Sequence, residues 1–258
     1  MKILFVLDYY VPHIGGAETL FRNVIERLAA RGHRVSVLTC RHNSEVPAYE
    51  KMGEGIEVYR TGGNRFALML RIPFVGYRLA KEADVIHSTT YTSAIPASVL
   101  GILSGKPVVL TVHEVFGKLW YRFMGAKGFF FKLFERVIFA FPFAKYLCVS
   151  NYTKNSLRLL FGLPDAKLAT AYNGVDTDFW NASQVDTARV AELRKELGVS
   201  GCPSALYFGR PGVSKGLEYV VGAIPEIVSK IPDFKAVLIV SGDEKDRSDF
   251  IKAQVEKF

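Results

Sequence analysis

What most constrains this chain is a series of short, unbroken apolar runs set between helical patterns: Ile3 to Leu7, Val35 to Thr39, Ile56 to Tyr59, Val85 to His87, Val108 to Val112, Tyr146 to Val149 and Leu168 to Ala171. A strand with one wet face alternates apolar and polar residues. These runs do not alternate, so both faces must be buried, which is the condition of a mostly parallel sheet covered by helices. Between the first two runs, Leu20, Val24 and Leu28 recur at helical spacing within Thr19 to Arg31. That pattern stops at Gly32, a residue suited to the left-handed turn that closes a helix. Strand, helix, strand in repetition predicts an α/β fold with a Rossmann-like, doubly wound, mostly parallel sheet.

An apolar fraction of 49% over 258 residues is enough to fill such cores without metals or disulfides. Cys40, Cys148 and Cys202 have no C-x-x-C spacing and are odd in number, which argues against a zinc ribbon and a secreted disulfide framework. Only five apolar residues precede Asp8, too few for the core of a signal peptide, and no stretch reaches the roughly 18 apolar residues of a spanning helix. The expected location is cytoplasmic, at most peripheral on the inner face of a membrane.

The texture changes near Asn173, where Asn-Gly-Val-Asp-Thr-Asp-Phe-Trp180 is rich in turn formers and Asp186 to Leu197 reads as a surface helix closed by Gly198. A second strand–helix–strand unit follows: Ala205 to Phe208, Gly216 to Lys230 and Ala236 to Val240. The expected organisation is an N-terminal domain over 1–172, a hinge and linker over 173–204 and a partial second Rossmann-like domain over 205–258. So few strands would leave sheet edges exposed, which invites pairing with another copy of the chain.

Three places carry chemistry. The first strand ends in a loop with paired glycines, Gly15 and Gly16, just before a helix, where backbone N–H groups and the helix N-terminus favour an anion. The loop is not G-x-G-x-x-G, so a dinucleotide fingerprint is absent. The run Val108 to Val112 leads into His113-Glu114, a titratable pair at the end of a parallel strand, and His87 ends another. Ligands of open α/β sheets bind outside those carboxyl ends. In the second unit, Gly209-Arg210-Pro-Gly212-Val-Ser-Lys215-Gly216 joins strand to helix through three glycines and two cations. Arg supplies a fork for phosphate oxygens and Lys a point charge, with the helix end adding to both. It is not a Walker A loop, because Gly216 stands where Ser or Thr would follow the Lys.

In this order, Gly-Gly-Ala-Glu18, Thr-Val-His-Glu114, Val149-Ser-Asn-Tyr-Thr153, Asn173-Gly-Val-Asp176 and Gly209-Arg210 through Lys215-Gly216, the chain resembles a GT-B glycosyltransferase of the family 4 type from residue 1 to about 258. The resemblance implies transfer of a sugar from a nucleotide-diphosphate donor, with retention of configuration and with neither metal nor cofactor. It implies that Arg210 and Lys215 hold the diphosphate and that Gly209 and Gly216 shape its loop. It also implies that Gly15 and Gly16 approach the donor and that His113 faces the transferred sugar. The family's E-x7-E carboxylates stand late in its second domain. Glu18 with Glu26 and Glu218 with Glu226 fit the spacing on early helices, but about one such pair is expected by chance from 15 glutamates. Asp176-Thr-Asp178 matches the D-x-D of metal-using transferases but falls in the hinge. The missing carboxylates lead to the expectation that the 258-residue chain alone does not turn over, and they open an alternative: a truncated, non-catalytic relative that binds nucleotide or a membrane surface.

Residues 116–145 hold Lys118, Arg122, Lys127, Lys132, Arg136 and Lys145 against the single acid Glu135, interleaved with eleven aromatic residues. Residues 65–78 have the same character. Basic, aromatic amphipathic surfaces fit an anionic membrane and a lipid-linked acceptor. Ordinary packing of surface helices is the alternative. No nucleic-acid-binding pattern accompanies the basic balance, so nucleic acid is not an expected partner.

Overall fold

The computed structural model describes residues 1–62, 65–211, 215–240 and 245–256, with the backbone alone for 65–69 and 245–247. The chain forms two compact units, Met1–Gly174 and Val175–Phe258.

In the first unit the strands are β1 (Lys2–Val6), β2 (Arg34–Cys40), β3 (Tyr49–Lys51), β4 (Ile56–Thr61), β5 (Val85–Thr89), β6 (Val108–Val112), β7 (Lys145–Cys148) and β8 (Leu168–Thr170). They form one sheet in the order β3-β4-β2-β1-β5-β6-β7-β8. Every pairing is parallel except β3 with β4. Strand β3 escaped the sequence reading because Tyr-Glu-Lys is three residues of mixed polarity at an edge, where no burial imprints a pattern.

The apolar runs are explained by two cores. Along β1, Leu4 and Val6 enter one buried cluster while Ile3 and Phe5 enter the other, so successive residues face opposite sides and both sides are dry. Helix α1 (Gly16–Ala30) covers the second cluster with Phe21 and Ile25. On the other face lie α2 (Arg65–Val75), α3 (Tyr77–Glu82), α4 (Ala94–Ser104), α6 (Gly128–Ala140) and α7 (Asn151–Phe161), through Ile72, Ala80, Ala97, Ile138 and Leu157. Gly32 takes φ +83° after α1, the left-handed conformation that its place in the sequence demanded. The chain winds outward from β1 through β2 to β4, then returns to β5 on the other side of β1. The carboxyl ends of β1 and β5 therefore form the topological switch point, where an open α/β sheet leaves a crevice.

The second unit contains α8 (Thr187–Glu196), β9 (Ser204–Gly209), α9 (Leu217–Lys230), β10 (Lys235–Val240) and α10 (Lys245–Val255). Asp186 caps α8 by accepting from the N–H groups of Ala188 and Arg189. Strands β9 and β10 pair in parallel, Ser204 opposite Lys235 through Gly209 opposite Val240. Tyr207, Leu238 and Val240 pack under Leu217 and Val221 of α9 and Ile251 of α10, while Leu206, Phe208 and Ile239 on the opposite face are exposed. The second unit thus has a Rossmann-like strand–helix–strand core with one sheet face covered.

A short helix, α5 (Leu119–Met124), precedes α6 and packs tightly against its start. A Cβ on Gly128 would stand 2.5 Å from the Trp120 carbonyl oxygen and 2.7 Å from the Tyr121 nitrogen, both rigid backbone atoms. Gly128→Ala gains some of the roughly 1 kcal/mol of helix propensity, but it must push these backbones apart at a cost of about 1–3 kcal/mol. We expect a net loss of stability in the first unit, read as a lower urea midpoint. A raised midpoint would show that the α5–α6 contact is looser than described.

Candidate functional site

At the switch point, β1 runs into Asp8, whose Oδ2 accepts from Thr92 Oγ1 at 2.5 Å, and whose carbonyl accepts from Thr39 Oγ1 at 3.2 Å. Asp8 thereby ties the ends of three neighbouring strands. Beyond it, His13 stacks on Tyr9 with ring centroids 4.5 Å apart, and its Nδ1 lies 3.1 Å from Glu18 Oε1. Gly15 precedes α1 with extended backbone, and Gly16 is the first helical residue. A Cβ on Gly15 would collide with the Glu18 carboxylate, whereas one on Gly16 would meet nothing. The negative charge expected at this helix N-terminus is therefore the chain's own. Glu18 occupies the first turn, where a carboxylate is favoured, and only the Gly16 side is open to a ligand.

Two histidines lie at this edge. His87 is half-buried in β5, stacked on Phe5 at 4.9 Å and hydrogen-bonded through Nε2 to Thr111 Oγ1 at 2.8 Å. Burial, aided by the nearby His113, pushes its pKa down to about 4. His113 follows β6 and meets the edge of Phe21 at 6.0 Å. Burial lowers its pKa too, with Glu18 acting in the opposite sense. Its Nε2 is buried and has no hydrogen-bond partner among the described residues. A buried ring nitrogen without a protein partner marks a hydrogen bond that the described residues leave unmade.

The loop behind His113 is held by a residue that the sequence reading counted only as a charge. Glu135 on α6 is fully buried; its Oε1 accepts from Phe116 N at 2.9 Å and from Tyr91 Oη at 3.1 Å, and its Oε2 accepts from Gly117 N at 2.8 Å. The Tyr91 hydroxyl also lies 3.2 Å from the Glu114 carbonyl. Burial is the main cause of the rise in the Tyr91 pKa, with Glu135 and Glu114 adding to it. The available signal was a lone acid among six cations and eleven aromatic residues over residues 116–145.

In the second unit, Gly209 takes φ +148° and Gly216 φ +65°, conformations open to glycine. They bracket the β9–α9 connection, in which Tyr207 Oη donates to the Arg210 carbonyl at 2.9 Å. Arg210 and Lys215 are exposed, and neither side chain makes a hydrogen bond or ion pair with another described residue. Gly212 lies outside the described residues, as do the side chains of Arg65, Phe66, Leu68 and Met69. The edge of the first unit thus gathers Gly15, Gly16, His87 and His113, and the loop of the second gathers Gly209, Arg210, Lys215 and Gly216.

The spacing matches have ordinary structural roles. Glu26 pairs with Arg22 at 2.8 Å and Glu226 with Lys230 at 2.7 Å, each at helical spacing. Asp176 Oδ1 accepts from the N–H groups of Asp178 and Phe179, both at 3.1 Å, as a turn former does. Among the described residues no group of three or more His, Cys, Asp or Glu is arranged to hold a metal.

The family model for Glycosyltransferase Family 4 matches residues 14–179. The chain belongs to glycosyltransferase family 4. It is 25% identical over 264 aligned positions to an uncharacterized glycosyltransferase of Methanocaldococcus jannaschii, covering 95% of this chain and 64% of that protein. It is 26% identical over 236 positions to spore coat protein SA of Bacillus subtilis, covering 90% of this chain and 58% of that protein. It is 27% identical over 252 positions to a GDP-mannose-dependent α-(1-6)-phosphatidylinositol monomannoside mannosyltransferase of Mycobacterium tuberculosis, covering 93% and 61%. The family 4 chain therefore spans about three-fifths of the length of these relatives. Among solved structures, HepE of Anabaena in complex with UDP and glucose superposes with a TM-score of 0.74 at 17% identity, covering 100% of this chain and 66% of that one. The sucrose-phosphate synthase of Thermosynechococcus elongatus superposes at 0.76 with 18% identity, covering 100% and 68%. These likenesses show the GT-B fold.

The lowered pKa of His87 makes the first unit sensitive to acid. In the unfolded chain its imidazole takes up a proton near pH 6.5, in the folded chain only near 4, so its contribution is fully present above about pH 6.5 and is lost as the pH falls towards 4. The full difference is about 3 kcal/mol. We expect His87→Asn to flatten this part of the pH dependence in urea unfolding at pH 7 and pH 4.5. Parallel slopes for wild type and variant would contradict the burial.

Proposed function

We propose that this family 4 chain takes part in moving a sugar from a nucleotide-diphosphate donor to an acceptor, with retention of configuration at the sugar and without a metal ion. In the net reaction the bond from the sugar's anomeric carbon to the diphosphate oxygen breaks. A bond from that carbon to the acceptor hydroxyl oxygen forms on the same face, and the hydroxyl proton leaves with the products. The charge that develops on the departing diphosphate is where catalytic stabilisation is needed.

The observation that carries this reading is the β9–α9 loop, which presents the Arg210 fork and the Lys215 ammonium to solvent without ion-pair partners among the described residues, ahead of the start of α9. Such cations meet phosphate oxygens without the desolvation and competition that a salt-bridged pair would impose. They would do here what a hard cation does in metal-using enzymes. On the first unit, His113, whose Nε2 has no hydrogen-bond partner among the described residues, is the group we assign to the transferred sugar, and no atom stands within 4 Å of where a Cβ on Gly16 would project. The names of the relatives support the donor class, since one is described as GDP-mannose-dependent and a structural neighbour was solved with UDP and glucose. The phosphatidylinositol mannoside acceptor named for that relative supports a lipid-linked acceptor here.

Calorimetry with UDP and GDP on the wild type, Arg210→Ala and Lys215→Ala tests the assignment. Each variant loses a charge-assisted contact worth about 1.5–3 kcal/mol, so affinity should fall by about 10- to 150-fold. Unchanged affinity in both variants would remove the loop from the donor site.

A further inference from the structure

Helix α6 has two apolar faces where a surface helix needs one. Its inner face, with Ile138, Phe139 and the hydrogen-bonded Glu135, is buried in the first unit. Its outer face carries Phe129, Leu133 and Val137 at i, i+4 and i+8, with Phe130 beside them, and all four are exposed, Phe130 to 69%. Leu119, Tyr121 and Met124 of the adjoining α5 are exposed as well. No described residue covers this face.

The charges around it have one sign. Lys118, Arg122, Lys127, Lys132 and Arg136 are distributed along the two helices, and the single acid of the segment, Glu135, points inward with its charge taken up by two backbone N–H groups and a hydroxyl. Lys118, Lys127, Lys132 and Arg136 form no ion pair with a described residue. Several helix cations elsewhere are matched, Arg22 by Glu26, Arg189 by Glu192 and Lys230 by Glu226. Lys132 and Arg136 stand three residues after Phe129 and Leu133, so cation and apolar side chain are neighbours on the helix. Lys132 Nζ lies 5.5 Å over the Tyr121 ring, which keeps the ammonium at the rim of the apolar strip.

We propose that the outer face of the α5–α6 hairpin docks on an anionic lipid bilayer, with Phe129, Phe130 and Leu133 entering the headgroup–acyl boundary and the lysines and arginines meeting lipid phosphates. The charge complementarity selects the partner: exposed phenylalanine and leucine need an apolar phase, and Lys118, Lys127, Lys132 and Arg136, four cations without an ion pair to a described residue, need a dense anionic surface. A protein partner would have to supply both at once. Leu70 and Phe74 of α2 are exposed on the same side of the sheet and extend the apolar surface. The inference does not rest on sugar transfer.

The test is co-sedimentation of the 258-residue chain with vesicles of phosphatidylglycerol and phosphatidylcholine, against vesicles of phosphatidylcholine alone. Binding is expected to the anionic vesicles only, and to be reversed by salt as screening shortens the Debye length from about 10 Å at 0.1 M to about 3 Å at 1 M. Each cation near the surface contributes roughly fivefold, so Lys127→Glu with Lys132→Glu should weaken binding by at least about 25-fold. Phe130→Ser, at an exposed position, should weaken it while leaving thermal unfolding unchanged. In the unmodified chain, backbone hydrogen exchange over residues 119–137 should slow on anionic vesicles. Equal sedimentation with both vesicle types would overturn the proposal. So would unaltered exchange, or salt-sensitive retention on DNA without vesicle binding. Nucleotide affinity is measured separately and is indifferent to the hairpin variants, so failure here leaves the donor site standing.

Discussion

The parallel ladder around β1 is the constraint from which the first unit follows. A parallel neighbour can be reached only by a crossover, and crossovers lay helices on the sheet. Strand β1 is therefore dry on both faces, with Leu4 and Val6 in one core and Ile3 and Phe5 in the other. Polar side chains that the sheet cannot bury collect beyond the strand ends. That is why Asp8, Thr92 and His113 lie at one edge, each within a few residues of the end of β1, β5 or β6, with the His13–Glu18 pair in the loop and first helical turn after β1.

The same burial sets the chemistry of that edge. Phe5 and Phe21 flank His87 and Phe21 also meets His113, and burial holds both imidazoles below their ordinary pKa. The His113 loop cannot relax away, because Glu135 grips the N–H groups of Phe116 and Gly117 from the neighbouring helix. One buried carboxylate thus serves two ends. It fixes the loop that carries His113, and by leaving the surface it strips the α5–α6 hairpin of its only acid.

The sheet was legible in the sequence because apolar runs buried on both faces are distinctive, and β6 from Val108 to Val112 shows it residue for residue. Strand β3 was illegible for the opposite reason, an edge strand with no burial to record. The paired glycines suggest a loop where a ligand can approach backbone N–H groups at a helix N-terminus. The structure puts the Glu18 carboxylate against Gly15, a local fit between a loop and the first turn of its own helix that no spacing rule encodes. Glu135 was hidden because charge counting treats every carboxylate as solvated. Arg210 and Lys215 were visible as a pair of cations between glycines, and their lack of ion-pair partners among the described residues is a property of the fold.

The central claim is that burial at the carboxyl edge holds the His113 imidazole below its ordinary pKa while its Nε2 has no hydrogen-bond partner among the described residues. An NMR titration of the imidazole nitrogens of the 258-residue chain, with His113 assigned by its absence in His113→Gln, measures this directly. The account predicts a midpoint below the ordinary 6.5 and a neutral ring at pH 7. A midpoint above 6.5, with Glu18 rather than burial in control, would contradict it.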